Sequence, residues 1–385
     1  MIDRKIPLAW RQLMGQRGRF IVALAGISFA DVLILMQLGF QSALLDSNTR
    51  LHRKLNADIV LVSRQAQNLG SLNTFSRRRV VQAANLPEIQ SAESLYVRLA
   101  NWRNPQTKLE SSILVLGFNP IRPAFDLPEL EQNAALIRYP DTLLFDRGSR
   151  GPYKETIAQI EQGSPVTTEL EGRRISIRGL YRVGSSFVAD GNVMTSDQNF
   201  LKLFNQRQPG EVSIGLVQLK PGSNPTAVVN TLRSTLPDDV KVLTKQEFIE
   251  FERNYWQQST TIGFIFSFGV VIGFLVGVVI VYQIIYSDVI DHLAEYATLK
   301  AIGYRDRYLL KVIFQEALIL AVIGFVPGCL IANGMYTLTR NTTNLPLFMT
   351  RERVVQVLLL TVSMCSISGA IAIRKLRSAD PADIF

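Results

Sequence analysis

The chain has 385 residues, 47% of them apolar, and a net charge of +9 from 41 Lys and Arg against 32 Asp and Glu. Its two histidines, His52 and His292, are too few and too far apart for a His-based metal site. No G-x-x-x-x-G-K-[ST] loop is present, and the nearest stretch, Gly148 to Glu155, has the wrong spacing, so neither a catalytic set nor nucleotide hydrolysis by this chain is expected.

Four apolar runs, Phe20–Phe40, Ile262–Tyr286, Phe314–Tyr336 and Val354–Ile373, approach or exceed the roughly 20 residues that cross about 30 Å of hydrocarbon as a helix. They predict a membrane protein with four transmembrane α-helices, at 20–40, 261–286, 312–336 and 354–373. A large α+β periplasmic domain, 41–260, is inserted between helices 1 and 2. The first run follows a basic segment, 1–19, but is too long for a signal core and has no A-x-A-like site, so it reads as an uncleaved signal anchor.

Charge sets the topology. Between Leu45 and Tyr255 there are 26 Lys and Arg against 22 Asp and Glu, close to balance. The excess lies at the ends of the apolar runs: Arg4, Lys5, Arg11, Arg17 and Arg19 before the first, Lys300, Arg305, Arg307 and Lys311 between the second and third, and Arg374, Lys375 and Arg377 after the fourth. Lys and Arg mark the cytoplasmic side. The N-terminal segment, the connection 287–311 and the tail 374–385 are therefore expected inside, with the inserted domain and the loop 337–353 outside. Basic charge distributed in this way is a topology signal, and nucleic acid is not expected as a partner.

The inserted segment is large enough to bury its own core. It contains no cysteine, since Cys329 and Cys365 both fall in apolar runs. Leu44, Leu45, Leu51 and Leu55 at its start, and Phe248, Phe251 and Tyr255 at its end, have helical spacing. These segments read as extensions of spans one and two, forming a helical stalk, or else as amphipathic helices packed within the domain. Between them the pattern predicts strands at Ile59–Val62, Leu95–Leu99 and Ile113–Leu116 and a helix over Arg77–Asn85. A second unit, strand, helix after Asn224 and strand, follows from Glu211, with Pro225 suited to the first helical turn. Two such units suggest helices on one face of a sheet. Residues 119–204, richer in Pro, Gly and short strands, read as an inserted subdomain.

Within the spans, Asp31 sits near the middle of the first run, where an ionisable group is costly. It is either a substrate-contacting or conformation-linked group, or a hydrogen bond between helices, its carboxyl protonated. Gly269, Gly273 and Gly277 in span two, and Gly324 and Gly328 in span three, recur at four-residue steps that let helix backbones approach. Their partner is a neighbouring span of this chain or a second copy. Glu316 is expected to reach Lys311 or Arg305.

The connection after span two, "SDVIDHLAEYATLKAIGY", starts with a capping Ser and acidic residues and ends at Gly303, which suits a left-handed helix stop. A short helix there exposes apolar side chains, as a docking helix for a soluble partner does. The other reading is a helix lying flat in the lipid interface.

"EYATLKAIGYRDRYLLKVIFQEALIL", from Glu295 to Leu320, resembles the cytoplasmic signature of the MacB/FtsX superfamily of ABC-transporter permeases. The C-terminal "RKLRSADPADIF", with Asp380, Pro381 and Ala382, resembles the ending of that family, and one span, a large outer domain and three spans match its order. "GISFADVLILMQLGFQSALLDS" resembles the first span of the DevC permeases of DevBCA-type cyanobacterial exporters. The resemblance implies a non-catalytic inner-membrane permease without cofactors, as a homodimer whose ATP is bound by a separate ABC ATP-binding subunit. It further implies a membrane-fusion adaptor, a TolC-like outer-membrane duct, and export of a lipid, glycolipid or other amphipathic cargo by mechanotransmission. It assigns coupling to the ATPase to Glu295, Tyr296, Ala297, Leu299, Lys300, Ile302 and Gly303. Two further implied possibilities are an FtsX-like relay regulating cell-wall hydrolases and a lipoprotein-releasing permease.

Overall fold

The computed structural model describes residues 17–208, 210–292, 302 and 306–377. They form two compact units, one of residues 43–260 with Thr342–Pro346 and one of long helices.

Nine strands of the first unit share one sheet: β1 (Ile59–Ser63), β3 (Ile89–Arg103), β4 (Glu110–Phe118), β5 (Thr142–Asp146), β6 (Val166–Leu170), β7 (Arg173–Tyr181), β8 (Gly191–Ser196), β10 (Ile214–Leu219) and β11 (Val240–Thr244). Two short strands, β2 (Phe75–Ser76) and β9 (Glu211–Val212), pair separately. The long β3 changes partners along one edge. Its first part, Ile89–Leu95, pairs with β10, whereas Trp102 and Arg103 pair with β6. Its other edge pairs with β4 from Leu95 to Arg103. Because β4–β8, β8–β5, β5–β7 and β7–β6 are also paired, six strands close into a small barrel, and β10, β1 and β11 extend from it as a wing. Closure removes the open strand edges that invite wrong pairing.

Residues 119–204 are therefore not a subdomain with a sheet of its own. Their strands β5–β8 complete a barrel begun by β3 and β4.

Helices cover both faces of the sheet rather than one. In β1 every residue is buried, with Ile59 and Leu61 on one side and Val60 and Val62 on the other, as the two-residue period of a strand requires. The first side packs on α2 (Arg78–Ala83) through Val80, on α5 (Asp197–Leu203) through Phe200 and on α6 (Pro225–Thr235) through Val228 and Leu232. The second packs on Leu130 of α3 (Pro128–Asn133), on Phe248 of α7 (Lys245–Asn254), and on Leu51 and Leu55 at the end of α1 (Arg17–Arg53). One further helix, α4 (Lys154–Glu161), lies between β5 and β6.

Local signals place the helix starts. Asn224 accepts from the Thr226 N–H ahead of Pro225, and Thr244 and Glu247 form a reciprocal capping box at α7.

The helical unit contains the first part of α1 with α8 (Thr261–Asp291), α9 (Asp306–Thr343) and α10 (Arg351–Arg377). Each of these four helices is long and apolar enough to cross a membrane. Fold class is as expected: four such helices and an α+β domain inserted after the first. Helix α1 runs unbroken to Arg53, and α9 continues through Pro327.

The expected extension of span two differs. After α7 the chain makes one turn of π-helix, Tyr255–Ser259, and becomes extended at Thr260 before α8 begins. Neither Pro nor Gly signals this break. Local hydrogen bonds compete with the helix there: Thr260 Oγ1 donates to the Trp256 carbonyl (2.7 Å) and Trp256 Nε1 donates to Glu252 (2.8 Å).

Candidate functional site

The bundle interior is organised around α1, whose Ala23, Ile27, Ala30, Ile34 and Leu35 are buried. The glycines singled out by spacing all face it. A Cβ on Gly269 would meet the Gln37 side chain, on Gly273 Ile34, and on Gly277 Met364 and Ala30. A Cβ on Gly324 would meet Ile27, and on Gly328 both Asp31 Cβ and the Ser28 carbonyl at 3.0 Å. The partner of both glycine rows is thus α1 of the same chain. Small residues allow the close packing that holds helices together in lipid, where no hydrophobic drive between helices exists.

Polar side chains cross-link the same contacts. Ser28 Oγ donates to the Gly324 carbonyl (2.9 Å), Gln41 Nε2 to Ser267 Oγ (3.0 Å) and Ser368 Oγ to the Val278 carbonyl (2.8 Å). Tyr336 donates its hydroxyl to the Leu35 carbonyl, and Arg353 donates to the Phe348 carbonyl (2.7 Å) while lying over the Tyr336 ring. Asp31 is fully buried, and Thr361 Oγ1 of α10 lies 2.5 Å from its Oδ1. An interhelical hydrogen bond is therefore the role its geometry supports.

At the end of the bundle where α8 finishes, Arg19 pairs with Asp291. Glu316 turns away from Lys311, and Arg305 lies outside the described residues. Glu316 is 2% exposed, because its helical phase turns it inward with Val312, Ile313 and Leu320, while Lys311 faces outward. Glu295, Tyr296, Ala297, Leu299, Lys300 and Gly303 lie outside the described residues. Ile302 is described, and its side chain is 71% exposed.

Two polar centres in the inserted domain escaped the sequence reading. Asp146, at the end of β5, is wholly buried and accepts from the N–H groups of Gly148 (2.8 Å), Val183 (3.0 Å) and Gly184 (2.6 Å) and from Asn192 Nδ2 (3.0 Å). Arg50 donates to the Val183 carbonyl (2.5 Å), fixing the same loop from α1. Burial, with the Asp146 carboxylate near, pushes the Tyr181 phenol well above its usual range. The second centre joins His52 to Glu252. An Asp directly after a fully apolar strand was the available signal for the first; the second pairs residues 200 positions apart and has none.

Among the described residues, no group of three His, Cys, Asp or Glu side chains could hold a metal ion.

Residues 262–381 match the FtsX-like permease C-terminal family. The match covers 120 of the 385 residues, about a third of the chain. The matched stretch takes in α8, α9 and α10 with Glu316 and both glycine rows, and it spans the connection to which coupling was assigned. Among solved structures, the chain is similar to the periplasmic region of MacB from Actinobacillus actinomycetemcomitans, with a TM-score of 0.36 and 11% identity over 52% of this chain and 94% of that one. It is also similar to the extracellular domain of the noncanonic ABC-type transporter YknZ from Gram-positive bacteria, with a TM-score of 0.33 and 10% identity over 49% of this chain and 100% of that one. No match to a curated protein was found.

Proposed function

We propose that this chain is the permease subunit of a MacB-like, DevC-type ABC exporter in the inner membrane, with both termini cytoplasmic. Two copies pair, and each engages a separate ATP-binding subunit through Glu295–Gly303. ATP hydrolysis there moves a lipid, glycolipid or other amphipathic cargo outward by way of a membrane-fusion adaptor and a TolC-like duct.

The observation that carries this reading is the grip of the FtsX-like domain on α1. Its glycines seat α8 and α9 against a helix that runs without a break to Arg53. That helix is about 55 Å long at 1.5 Å per residue. Its last turns place Leu51, His52 and Leu55 in the core of the inserted domain. On this reading α1, shared by the bundle and the inserted domain, is the element that carries mechanotransmission.

The test is purification of the full chain in mild detergent with identification of what accompanies it. An ATP-binding protein together with an adaptor supports export. Cell-wall hydrolases or their activators in place of the adaptor would replace export with an FtsX-like relay, and the absence of an ATP-binding protein would remove the proposal.

A further inference from the structure

The Asp31–Thr361 contact has a hydrogen-bond count that decides more than its position. Thr361 Oγ1 carries one proton and lies within reach of two oxygens, Asp31 Oδ1 at 2.5 Å and the Val357 carbonyl at 2.8 Å. Asp31 Oδ2 is buried and has no hydrogen-bond partner. Among the described residues, every group packed around the carboxyl is neutral or acidic. From α1 comes Ser28, whose hydroxyl is already given to Gly324; from α9 come Gly328 and Cys329; from α10 come Thr361 and Cys365; and α8 places no charged side chain there among the described residues.

A carboxylate in this place would be a buried charge with a single shared donor and no cation, an arrangement that costs several kcal/mol. With one proton added to the carboxyl, the bonds close in sequence. Asp31 Oδ1–H donates to Thr361 Oγ1, the Thr361 hydroxyl donates to the Val357 carbonyl, and Oδ2 is left as a neutral carbonyl oxygen.

We propose that Asp31 is a proton-binding site inside the bundle and that the bound proton latches α1 to α10. Only the acid can donate to Thr361 and leave the Thr361 hydroxyl wholly to the Val357 carbonyl, so the latch is tightest while the proton is held. Movement of α1 against α10 that brings water to Asp31 opens the latch. The latch is independent of which cargo or partner the chain serves.

Infrared difference spectroscopy of the full chain, wild type minus Asp31→Asn, reads the proton directly. A protonated-carboxyl C=O stretching band is expected in wild type, absent from Asp31→Asn and shifted to higher frequency in Thr361→Val, which removes its hydrogen-bond acceptor. Asp31→Asn, whose amide donates in the same direction, should melt with wild type in detergent, whereas Asp31→Val melts lower. A carboxylate band in place of the acid band overturns the proposal. So does an Asp31→Asn that melts as low as Asp31→Val, a result obtainable even if Thr361→Val fails to fold.

Discussion

His52 and Glu252 face each other across 3.4 Å, Nε2 to Oε2, with both side chains wholly withdrawn from solvent. One sits at the end of α1 and the other near the end of α7, so the pair ties together the first and last helices of the inserted domain. Glu252 also accepts from the Leu69 N–H (2.7 Å) and from Trp256 Nε1 (2.8 Å), and the His52 ring lies 4.4 Å from that of Phe248. Removing the Glu252 side chain strands the Leu69 N–H and the Trp256 indole N–H, at a cost of about 1–3 kcal/mol for each buried donor left unsatisfied. Glu252→Ala should lose stability of that order in chemical denaturation of the full chain followed by tryptophan fluorescence, and Glu252→Gln less, since it keeps one acceptor oxygen. Denaturation of Glu252→Ala at the wild-type midpoint would show the pair to be incidental.

The glycine rows make a contrast within one helix. A methyl group on Gly328 would press on Asp31 Cβ and the Ser28 carbonyl, each 3.0 Å from where it would be. Gly334, on the same helix, has nothing within 4 Å. Gly328→Val should therefore destabilise the bundle by about 1–3 kcal/mol through overpacking. Gly334→Ala should be neutral or stabilise by up to about 1 kcal/mol, because alanine loses less backbone freedom in a helix. Melting of the two variants in the same detergent checks the difference; equal loss in both would mean that α1 does not set the packing.

Local features of the fold were legible and closure was not. Apolar alternation and the Asn224–Pro225 start gave β10, α6 and β11, because those signals act within a few residues. The sequence pattern predicted β3 at less than its true length, since Gln90, Ser91 and Glu93 interrupt its apolar pattern at positions facing outward. Strand β8, "GNVMTS", has no apolar alternation, and all six of its residues are buried. Its Asn192 and Thr195 are tolerated there because Asp146 and the Thr142 carbonyl accept their hydrogen bonds (3.0 and 2.8 Å). Barrel closure rests on β6 meeting the last two residues of β3, a pairing over more than 60 positions that no local pattern announces. In the bundle, spacing identified which glycines pack but could not name their partner.

The capping box of α7 gives an acid-range test. Burial pushes the Glu247 carboxyl up, but hydrogen bonds from the Thr244 backbone N–H and from Arg233, with the Arg233 charge, outweigh it and hold it below its usual value of 4.5. A carboxyl held low in the folded state contributes stability above its unfolded value, and that contribution is lost as pH falls through the folded one. Wild type should therefore lose stability below about pH 4.5, and Glu247→Gln should flatten that part of the profile. The side chains of Glu247 and Arg233 are each 43% exposed, so the effect is small, within about 1 kcal/mol. Thr244→Ala removes the cap itself and should cost about 1 kcal/mol at every pH.

Coupling to an ATP-binding subunit makes the sharpest functional prediction, because it separates docking from folding. Ile302 already shows a large apolar side chain exposed directly before Gly303. A helix that docks in a groove relies on apolar anchors, and Leu299→Asp replaces one with a charge that the groove would have to desolvate. Gly303→Pro acts on the backbone, fixing φ near about −65° where a left-handed helix stop is expected. Both variants should insert and purify like wild type, while stimulation of the partner ATPase by the permease is lost. Loss of stimulation with an unchanged melting temperature isolates docking. Normal stimulation in both variants would place the power input elsewhere on the chain.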